Sequence, residues 1–240
     1  MAYTSWRGTV GLIKPTKRPG VLEQNIRLLP EGIGVIPTFL GFNGSHGQFA
    51  EAMPHYDLLL AELAEQEVDL VSAGGEPPFM LQGVKGEQKT VAAWEKKYKL
   101  PILSTGMTAC AAMRALKIKN MVLIRATDWD KKGHVARYFT EGGFKVLGEN
   151  SLEASWEGIS EISAEQVYRF TKETVLKHKK CDGIYMMGSI FRALSVIDVM
   201  EQDFGIPIAA AAALYPWSIQ KHLHVHQPIQ GHGTLLRELP

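Results

Sequence analysis

The chain has 240 residues, 45% of them hydrophobic and 21% charged, a composition that predicts a folded protein with an ample core and argues against disorder. Because 26 Lys and Arg residues balance 25 Asp and Glu residues, the charge favours neither a nucleic acid nor a membrane as a partner, and a small molecule is the expected ligand. No apolar run reaches the roughly 20 residues of a membrane-spanning helix, so we expect a cytoplasmic protein.

Short apolar runs alternate with longer helical patterns along the whole chain. Strands are predicted at residues 10–13, 34–39, 70–73, 102–104, 121–124, 145–147, 183–187 and 206–210, and helices at residues 49–66, 87–98, 108–116, 131–141, 163–179, 193–203 and 216–222. Ser163, with Gln166 three positions later, predicts a capped helix start. Strand and helix alternation of this regularity predicts an α/β fold with parallel strands and right-handed crossovers.

One sequence pattern, an aspartate followed by a short apolar run and a glycine, occurs twice in the chain. Asp69 and Asp182 each introduce a short apolar strand, and each strand ends at a glycine, Gly75 or Gly188. The two aspartates are 113 residues apart, and so are the two glycines. The spacing therefore predicts two halves that share one design.

The predicted halves are residues 1–117 and residues 118–214, with the tail 215–240 packing back on the first half. Each half reads as a small unit of βαβ type with a parallel sheet. Ligands of such sheets bind beyond the carboxyl ends of the strands. We therefore expect an active site in the cleft between two pseudo-symmetric halves.

Six short segments, taken in order and spacing, resemble the superfamily of aspartate/glutamate racemases, maleate cis-trans isomerases and arylmalonate decarboxylases. The nearest branch is that of the arylmalonate decarboxylases and maleate isomerases. The resemblance covers nearly the whole chain, and it implies two pseudo-symmetric α/β halves and chemistry without a cofactor. The segments are VGLIKP at 10–15, VSAGG at 71–75, MRAL at 113–116, DGI at 182–184, GIPI at 205–208 and GHGTLL at 231–236.

The chain departs from these relatives at the two strand ends. The racemases and maleate isomerases carry a catalytic cysteine at each end, and the decarboxylases keep the second as proton donor; here the two positions are Gly75 and Gly188. The two cysteines of the chain lie elsewhere: Cys110 falls inside a predicted helix, and Cys181 precedes a strand at the end opposite to the loops. We interpret both as small buried side chains, so thiol chemistry is disfavoured.

Glu76 is the candidate that replaces thiol chemistry. It follows the first glycine break, where partial burial would tune a carboxylate for proton transfer, and it is a candidate general base. The alternative is a structural ion pair with Lys14 or Arg125, each of which ends a neighbouring strand. Lys14 is also a candidate catalytic cation, and Arg125 a candidate two-pronged clamp for a substrate carboxylate.

Backbone amides at the glycine breaks are candidates for holding an oxyanion. Gly75, Gly188 and Ser189 would direct N–H groups at the developing charge, and the Ser189 hydroxyl would add a catalytic donor. No sequence elbow of a serine hydrolase surrounds Ser189, so nucleophilic catalysis by this serine is disfavoured.

Four further residues are candidates for contact with a substrate. Thr127 would donate a hydroxyl hydrogen bond and Trp129 would form a wall of the pocket, although the alternative is a helix cap and its packing partner. Tyr215 follows the last predicted strand. His232 lies in the tail, which the resemblance places near the site.

These candidates predict a cofactor-independent lyase or isomerase that acts on a small carboxylic acid or carbonyl compound through an enolate or carbanion. Decarboxylation is the first expectation, and double-bond isomerization or epimerization is the second. A hydrolase or hydratase in which Glu76 activates water, and a non-catalytic protein that binds a small ligand, remain alternatives. Whether the chain forms a homo-oligomer is left open.

Overall fold

Two four-stranded parallel sheets form the framework of the protein, in a computed structural model that describes residues 5–44, 46–188 and 192–240. The first sheet has the strand order β2-β1-β3-β4, and the second has the equivalent order β6-β5-β7-β8. The strands are β1 (Gly8–Lys14), β2 (Ile33–Phe39), β3 (Leu70–Ala73), β4 (Ile102–Ser104), β5 (Asn120–Arg125), β6 (Lys145–Ser151), β7 (Gly183–Met187) and β8 (Ile208–Ala210). The predicted class, α/β with two pseudo-symmetric parallel-sheet halves, is confirmed.

Helices connect the strands throughout the described part of the chain. They are α1 (Val21–Arg27), α2 (His46–Ala50), α3 (Met53–Glu65), α4 (Glu76–Met80), α5 (Gly83–Tyr98), α6 (Thr105–Ala115), α7 (His134–Glu141), α8 (Ala164–Lys177), α9 (Ile197–Phe204), α10 (Ala211–His222) and α11 (Thr234–Glu238), with a 3-10 helix at Gly158–Glu161. No helix in the described ranges has both the length and the apolar character needed to cross a membrane.

The predicted helices differ from the observed ones where a proline or a short element is involved. The helix predicted at 49–66 is divided into α2 and α3, and Pro54 lies in the first turn of α3, where its missing N–H costs nothing. The helix predicted to begin at Pro216 begins instead at Ala211, with Pro216 inside it. The helices α1, α4 and α11 were missed, because five to seven residues carry too little periodicity to reveal a helix.

Contacts divide the chain into two compact units. The first contains residues 1–108 and 218–227, and the second contains residues 109–217 and 228–240. In the first, a core of fully buried side chains packs α3 and α5 against the sheet, with members that include Ile13, Tyr56, Leu60, Leu63 and Phe79. Each such apolar side chain contributes about 1.5–3 kcal/mol through its burial. The domain limits expected from the sequence stay a prediction.

The helix start predicted at Ser163 is confirmed in the second unit. The Gln166 N–H donates to the Ser163 hydroxyl over 3.2 Å, and the Ser163 N–H donates to the Gln166 side-chain oxygen over 2.8 Å. This reciprocal pair satisfies two donors that a helix N-terminus otherwise leaves open.

The repeated aspartates close the amino ends of the two sheets. The Thr9 N–H donates to the Asp69 carboxylate over 2.6 Å, and the Asp69 N–H donates to the Thr9 carbonyl over 2.8 Å. In the second unit, the Asn120 N–H donates to the Asp182 carboxylate and the Asp182 N–H donates to the Asn120 carbonyl, both over 2.8 Å. Because these contacts lie at the ends opposite to the glycine breaks, the aspartates of the repeat serve the scaffold.

Candidate active site

The first candidate strand end is a close turn between β1 and β3. β3 ends at Ala73, and the next residue, Gly74, donates its N–H to the Ile13 carbonyl over 2.9 Å. A Cβ atom at Gly74 would lie 2.8 Å from that carbonyl oxygen, so the approach requires glycine. The turn is thus held beside Lys14, the residue that follows Ile13 and ends β1.

Two features exclude a side chain at Gly75: its backbone conformation and the buried side chain of Tyr56 next to it. It has φ +114°, a conformation that a residue with a side chain rarely adopts, and a Cβ atom there would lie 2.5 Å from the Tyr56 hydroxyl oxygen. That hydroxyl donates to the Gly74 carbonyl over 2.6 Å. Burial, and then the charge of Glu87, raise the pKa of Tyr56 well above its usual value, so the phenol remains a donor. A side chain at Gly75 therefore requires Tyr56 to move.

Glu76 begins α4 directly after this turn, and only 6% of it is exposed. An acidic residue in the first turn of a helix is favoured by the helix dipole. Because β1 and β3 are adjacent and parallel, the fold brings Glu76 to the same sheet edge as Lys14. Neither Lys14 nor Arg125 forms an ion pair with Glu76 among the described residues, so the interpretation of Glu76 as their ion-pair partner is wrong, whereas its role as a base stays a prediction.

Lys14 is a buried cation, 4% exposed, at the end of β1. Its amino group makes no hydrogen bond or ion pair with any residue in the described ranges. Burial lowers the pKa of Lys14 to about 8, because the low-dielectric surroundings disfavour the charged form. A substantial fraction of the amine is therefore neutral at slightly alkaline pH.

Arg125 occupies the equivalent position in the second unit. Ile13 pairs with Ala73 in the first sheet, and Ile124 pairs with Met186 in the second, so Lys14 and Arg125 each follow the matching residue of a central strand. Arg125 is likewise buried, with 5% exposed.

The Arg125 guanidinium retains open hydrogen-bond donors. Nη2 lies 3.7 Å from an Asp128 oxygen and 3.6 Å from a Glu149 oxygen, too far for a hydrogen bond. Nε and Nη1 are buried and have no hydrogen-bond partner in the described part of the chain. Because an unsatisfied buried donor costs about 1–3 kcal/mol, each of these two nitrogens is suited to an acceptor on a bound ligand.

The residues after β5 form a loop, not a helix start. Thr127 and Trp129 are half-buried in this loop. The alternative role of Thr127 as a helix cap is wrong: the first amides of α7, those of His134 and Val135, donate to the Asp130 carboxylate over 2.9 and 2.7 Å. Contact of Thr127 and Trp129 with a substrate stays a prediction.

The remaining candidates also belong to the second unit. Gly188 follows β7 with φ +104°, and no described atom lies within 4 Å of a Cβ atom built there. Ser189 lies outside the described residues. Tyr215 is buried in α10, and burial raises its pKa. His232 is half-buried, and its Nδ1 lies 3.3 Å from the Leu194 carbonyl oxygen.

Sequence reasoning missed two buried polar residues behind the first strand end. Tyr56 shares the buried face of α3 with Leu60 and Leu63. Glu87 is fully buried on α5, and its carboxylate accepts from the Met107 N–H over 3.1 Å. The signal was present: a charged residue stands at position i of an apolar i, i+4, i+7 stripe, which predicts a buried functional or structural carboxylate.

The cysteines lie away from the carboxyl ends of the strands. Cys110 is buried in α6, and Cys181 is buried before β7, where burial raises the pKa of its thiol. Such a thiol is a poor nucleophile. Within the described ranges, no three His, Cys, Asp or Glu side chains come together in a metal-binding group.

Comparison with known proteins gives a family match and a set of similar folds. The family model described as arylmalonate decarboxylase matches residues 10–236. None of the curated protein sequences compared with the chain matches it. The match supports an enzyme of the lyase or isomerase class.

Among solved structures, the maleate isomerase Iso from Pseudomonas putida S16 is 18% identical, with a TM-score of 0.87 over 97% of this chain and 99% of that one. A liganded double mutant of arylmalonate decarboxylase is also 18% identical, with a TM-score of 0.88 over 96% and 99%. The maleate cis-trans isomerase of Nocardia farcinica, with a covalently bound succinylcysteine intermediate, is 19% identical, with a TM-score of 0.80 over 96% and 98%. At these identities the similarity establishes the fold.

Proposed function

Because the chain belongs to the arylmalonate decarboxylase family, we propose that it is a cofactor-independent lyase that removes carbon dioxide from a small carboxylic acid. The bond to the departing carboxylate breaks, and its electron pair remains on the adjacent carbon as an enolate or carbanion. A proton then reaches that carbon. Positive charge and N–H donors aimed at the developing oxyanion would lower the barrier of the first step.

One observation supports this proposal most directly: the central strand of each sheet ends in a buried cation that lacks close partners for most of its donors. Lys14 makes no side-chain hydrogen bond or ion pair within the described residues. Arg125 has two buried nitrogens that are open to an acceptor among those residues. A negatively charged substrate is the group that satisfies such donors, and Arg125 suits a carboxylate through its planar fork.

We assign proton transfer to Glu76. No thiol stands at either strand end, and Glu76 is the buried carboxylate that follows the first glycine break. The backbone amides of Gly75, Gly188 and Ser189 would hold the oxyanion. Thr127, Trp129, Tyr215 and His232 would complete the contacts with the substrate.

The test of this assignment is Glu76→Gln, which keeps the shape and removes the titrating group. We expect turnover, and solvent-deuterium exchange at the substrate α-carbon, to fall about 10²–10⁴-fold. Glu65→Gln, at an exposed position of α3, is the matched control and should behave like the unmodified protein. Unchanged exchange in the Glu76 variant would contradict the assignment of proton transfer to Glu76.

Isomerization is the second candidate function, because two of the similar structures are isomerases that share the fold. A covalent cysteine adduct like that of the Nocardia farcinica enzyme finds no counterpart here, since both cysteines lie away from the strand ends. An isomerase of this sequence would instead move a proton through Glu76. Carbon dioxide release from substituted malonates identifies the lyase, whereas epimerization or double-bond shift without gas release identifies the isomerase.

A further inference from the structure

Lys14 and Arg125, its counterpart in the second unit, differ in whether they can act as nucleophiles. The Arg125 guanidinium has five N–H donors and no acceptor, so it can serve only as a fixed positive charge. The Lys14 amine loses its proton much more readily than an exposed lysine, because burial lowers its pKa to about 8. Side chains alternate along a strand, so Lys14 shares its face of β1 with Val10 and Leu12, both almost completely buried.

The surroundings of Lys14 lack the contacts that would keep its charge. Lys97, an exposed lysine, forms an ion pair with Asp57 over 2.7 Å, and such a partner holds the amine in its protonated form. Lys14 has no such partner within the described residues. A desolvated lysine in an apolar setting is the form that attacks carbonyl carbons.

We propose that Lys14 forms a covalent imine with a ketone group of the substrate, and that the substrate is therefore a 3-oxo acid. This inference rests on the proposed decarboxylation and specifies its substrate class. It also gives Lys14 a chemical task that a fixed positive charge at the same position could not perform.

The steps balance with water and protons from the solvent. The neutral Lys14 amine adds to the ketone carbon, and uptake of one proton with loss of water gives a protonated imine. The carbon–carbon bond to the carboxylate then breaks and carbon dioxide leaves; the electron pair forms a new carbon–carbon double bond, and the imine bonding pair moves onto nitrogen to give a neutral enamine. A second proton adds to the carbon that lost the carboxylate, and water then releases the ketone, restores the neutral amine and returns one proton to the solvent.

The experiment is reductive trapping on the full chain. The protein is incubated with acetoacetate and sodium borohydride, digested, and mapped by mass spectrometry. We expect one stable adduct, on the peptide that contains Lys14, with the mass of the reduced decarboxylated ketone or of the reduced acid. Because the protein without any substitution is mapped, the adduct is located without relying on a variant.

Two variants provide the controls. Lys14→Met should lose the adduct and remain folded, because methionine fits a buried apolar position. Lys145→Met, at the exposed start of β6, should retain the adduct. An adduct spread evenly over exposed lysines, or none at Lys14, would overturn the inference.

Two outcomes distinguish a failure of the imine inference from a failure of the proposed decarboxylase function. Carbon dioxide release from phenylmalonate, which has no ketone, without any borohydride adduct from acetoacetate would support the decarboxylase and overturn the imine. An adduct at Lys14 that retains the carboxylate, with no carbon dioxide released from any acid, would support the imine and contradict the decarboxylase.

Discussion

The carboxyl ends of the two sheets share one arrangement of a buried cation and a glycine, but different side chains surround it. Both units place a buried cation at the end of the central strand and a glycine with positive φ after the neighbouring strand. At the first end the hydroxyl of Tyr56 occupies the space beside Gly75, whereas no described atom crowds Gly188. Lys14 has no charged partner in the described ranges, whereas Arg125 lies within 4 Å of two carboxylates.

The opposite ends of the same sheets resemble each other much more closely. Asp69 and Asp182 both exchange hydrogen bonds with the central strand of their sheet. In each sheet the aspartate joins neighbouring strands in the same way, whereas the carboxyl ends carry different side chains. Two similar scaffolds thus carry an asymmetric set of polar groups.

The largest expected effect on stability comes from replacing Gly75 with alanine, and the same replacement at Gly188 is the comparison. Gly75→Ala should lower the free energy of unfolding by about 4 kcal/mol, because backbone strain and the clash with Tyr56 add, whereas Gly188→Ala should cost about 1 kcal/mol from strain alone. Urea unfolding of the two variants checks the difference. Combining Gly75→Ala with Tyr56→Phe should recover part of the loss, and equal costs at both glycines would contradict the asymmetry.

Lys14→Met should stabilise the protein. The folded-state pKa of about 8 lies below the ordinary value of 10.5, so the unfolded chain binds the extra proton and the buried charge costs about 3 kcal/mol at pH 7. The gain in the free energy of unfolding should shrink as pH rises from about 8 and vanish above 10.5. Urea unfolding at pH 7 and at pH 10.5 measures it, and a gain that does not depend on pH would show that Lys14 is not desolvated.

Arg125→Lys tests whether the second strand end binds a carboxylate in a two-pronged manner. The ammonium keeps the charge and loses the planar fork, so we expect the affinity for malonate to fall roughly thirtyfold, about 2 kcal/mol. Calorimetric titration with malonate provides the measurement. Arg137→Lys, exposed on α7, is the control, and equal affinities of the two variants would exclude the clamp.

The smallest effect concerns the scaffold end of the repeat. Burial raises the pKa of Asp182, but hydrogen bonds from the Lys119 and Asn120 amides outweigh it, and the net pKa lies below the usual value. Asp182→Asn should therefore cost about 1 kcal/mol at pH 7, and the cost should begin to decline below about pH 4 and disappear only once pH has fallen through the lower folded-state pKa. Unfolding curves at pH 7 and at about pH 2 give the comparison; a cost that grows at low pH would contradict it.

Much of the fold could be predicted because it depends on local pattern. Residues 70–73, 102–104 and 183–187 were predicted as strands with their observed limits, since each is a short apolar run between breaking residues. The strand ends with Lys14 and Arg125 followed from the same pattern. Tyr56 and Glu87 were missed as site neighbours, because their positions depend on how α3 and α5 pack on a sheet formed by distant residues.

The sequence alone determined the alternation of strands and helices, the repeat that predicts two similar halves, and the absence of cysteine at both strand ends. These properties lie in the order and identity of residues, so folding cannot alter them. Only the tertiary structure decided that Lys14 is desolvated, that Arg125 keeps open donors among the described residues, and that Tyr56 fills the space beside Gly75. Burial, dielectric surroundings and close contacts arise from side chains far apart in the chain, and their effect on reactivity exists only once the sheets and helices have packed.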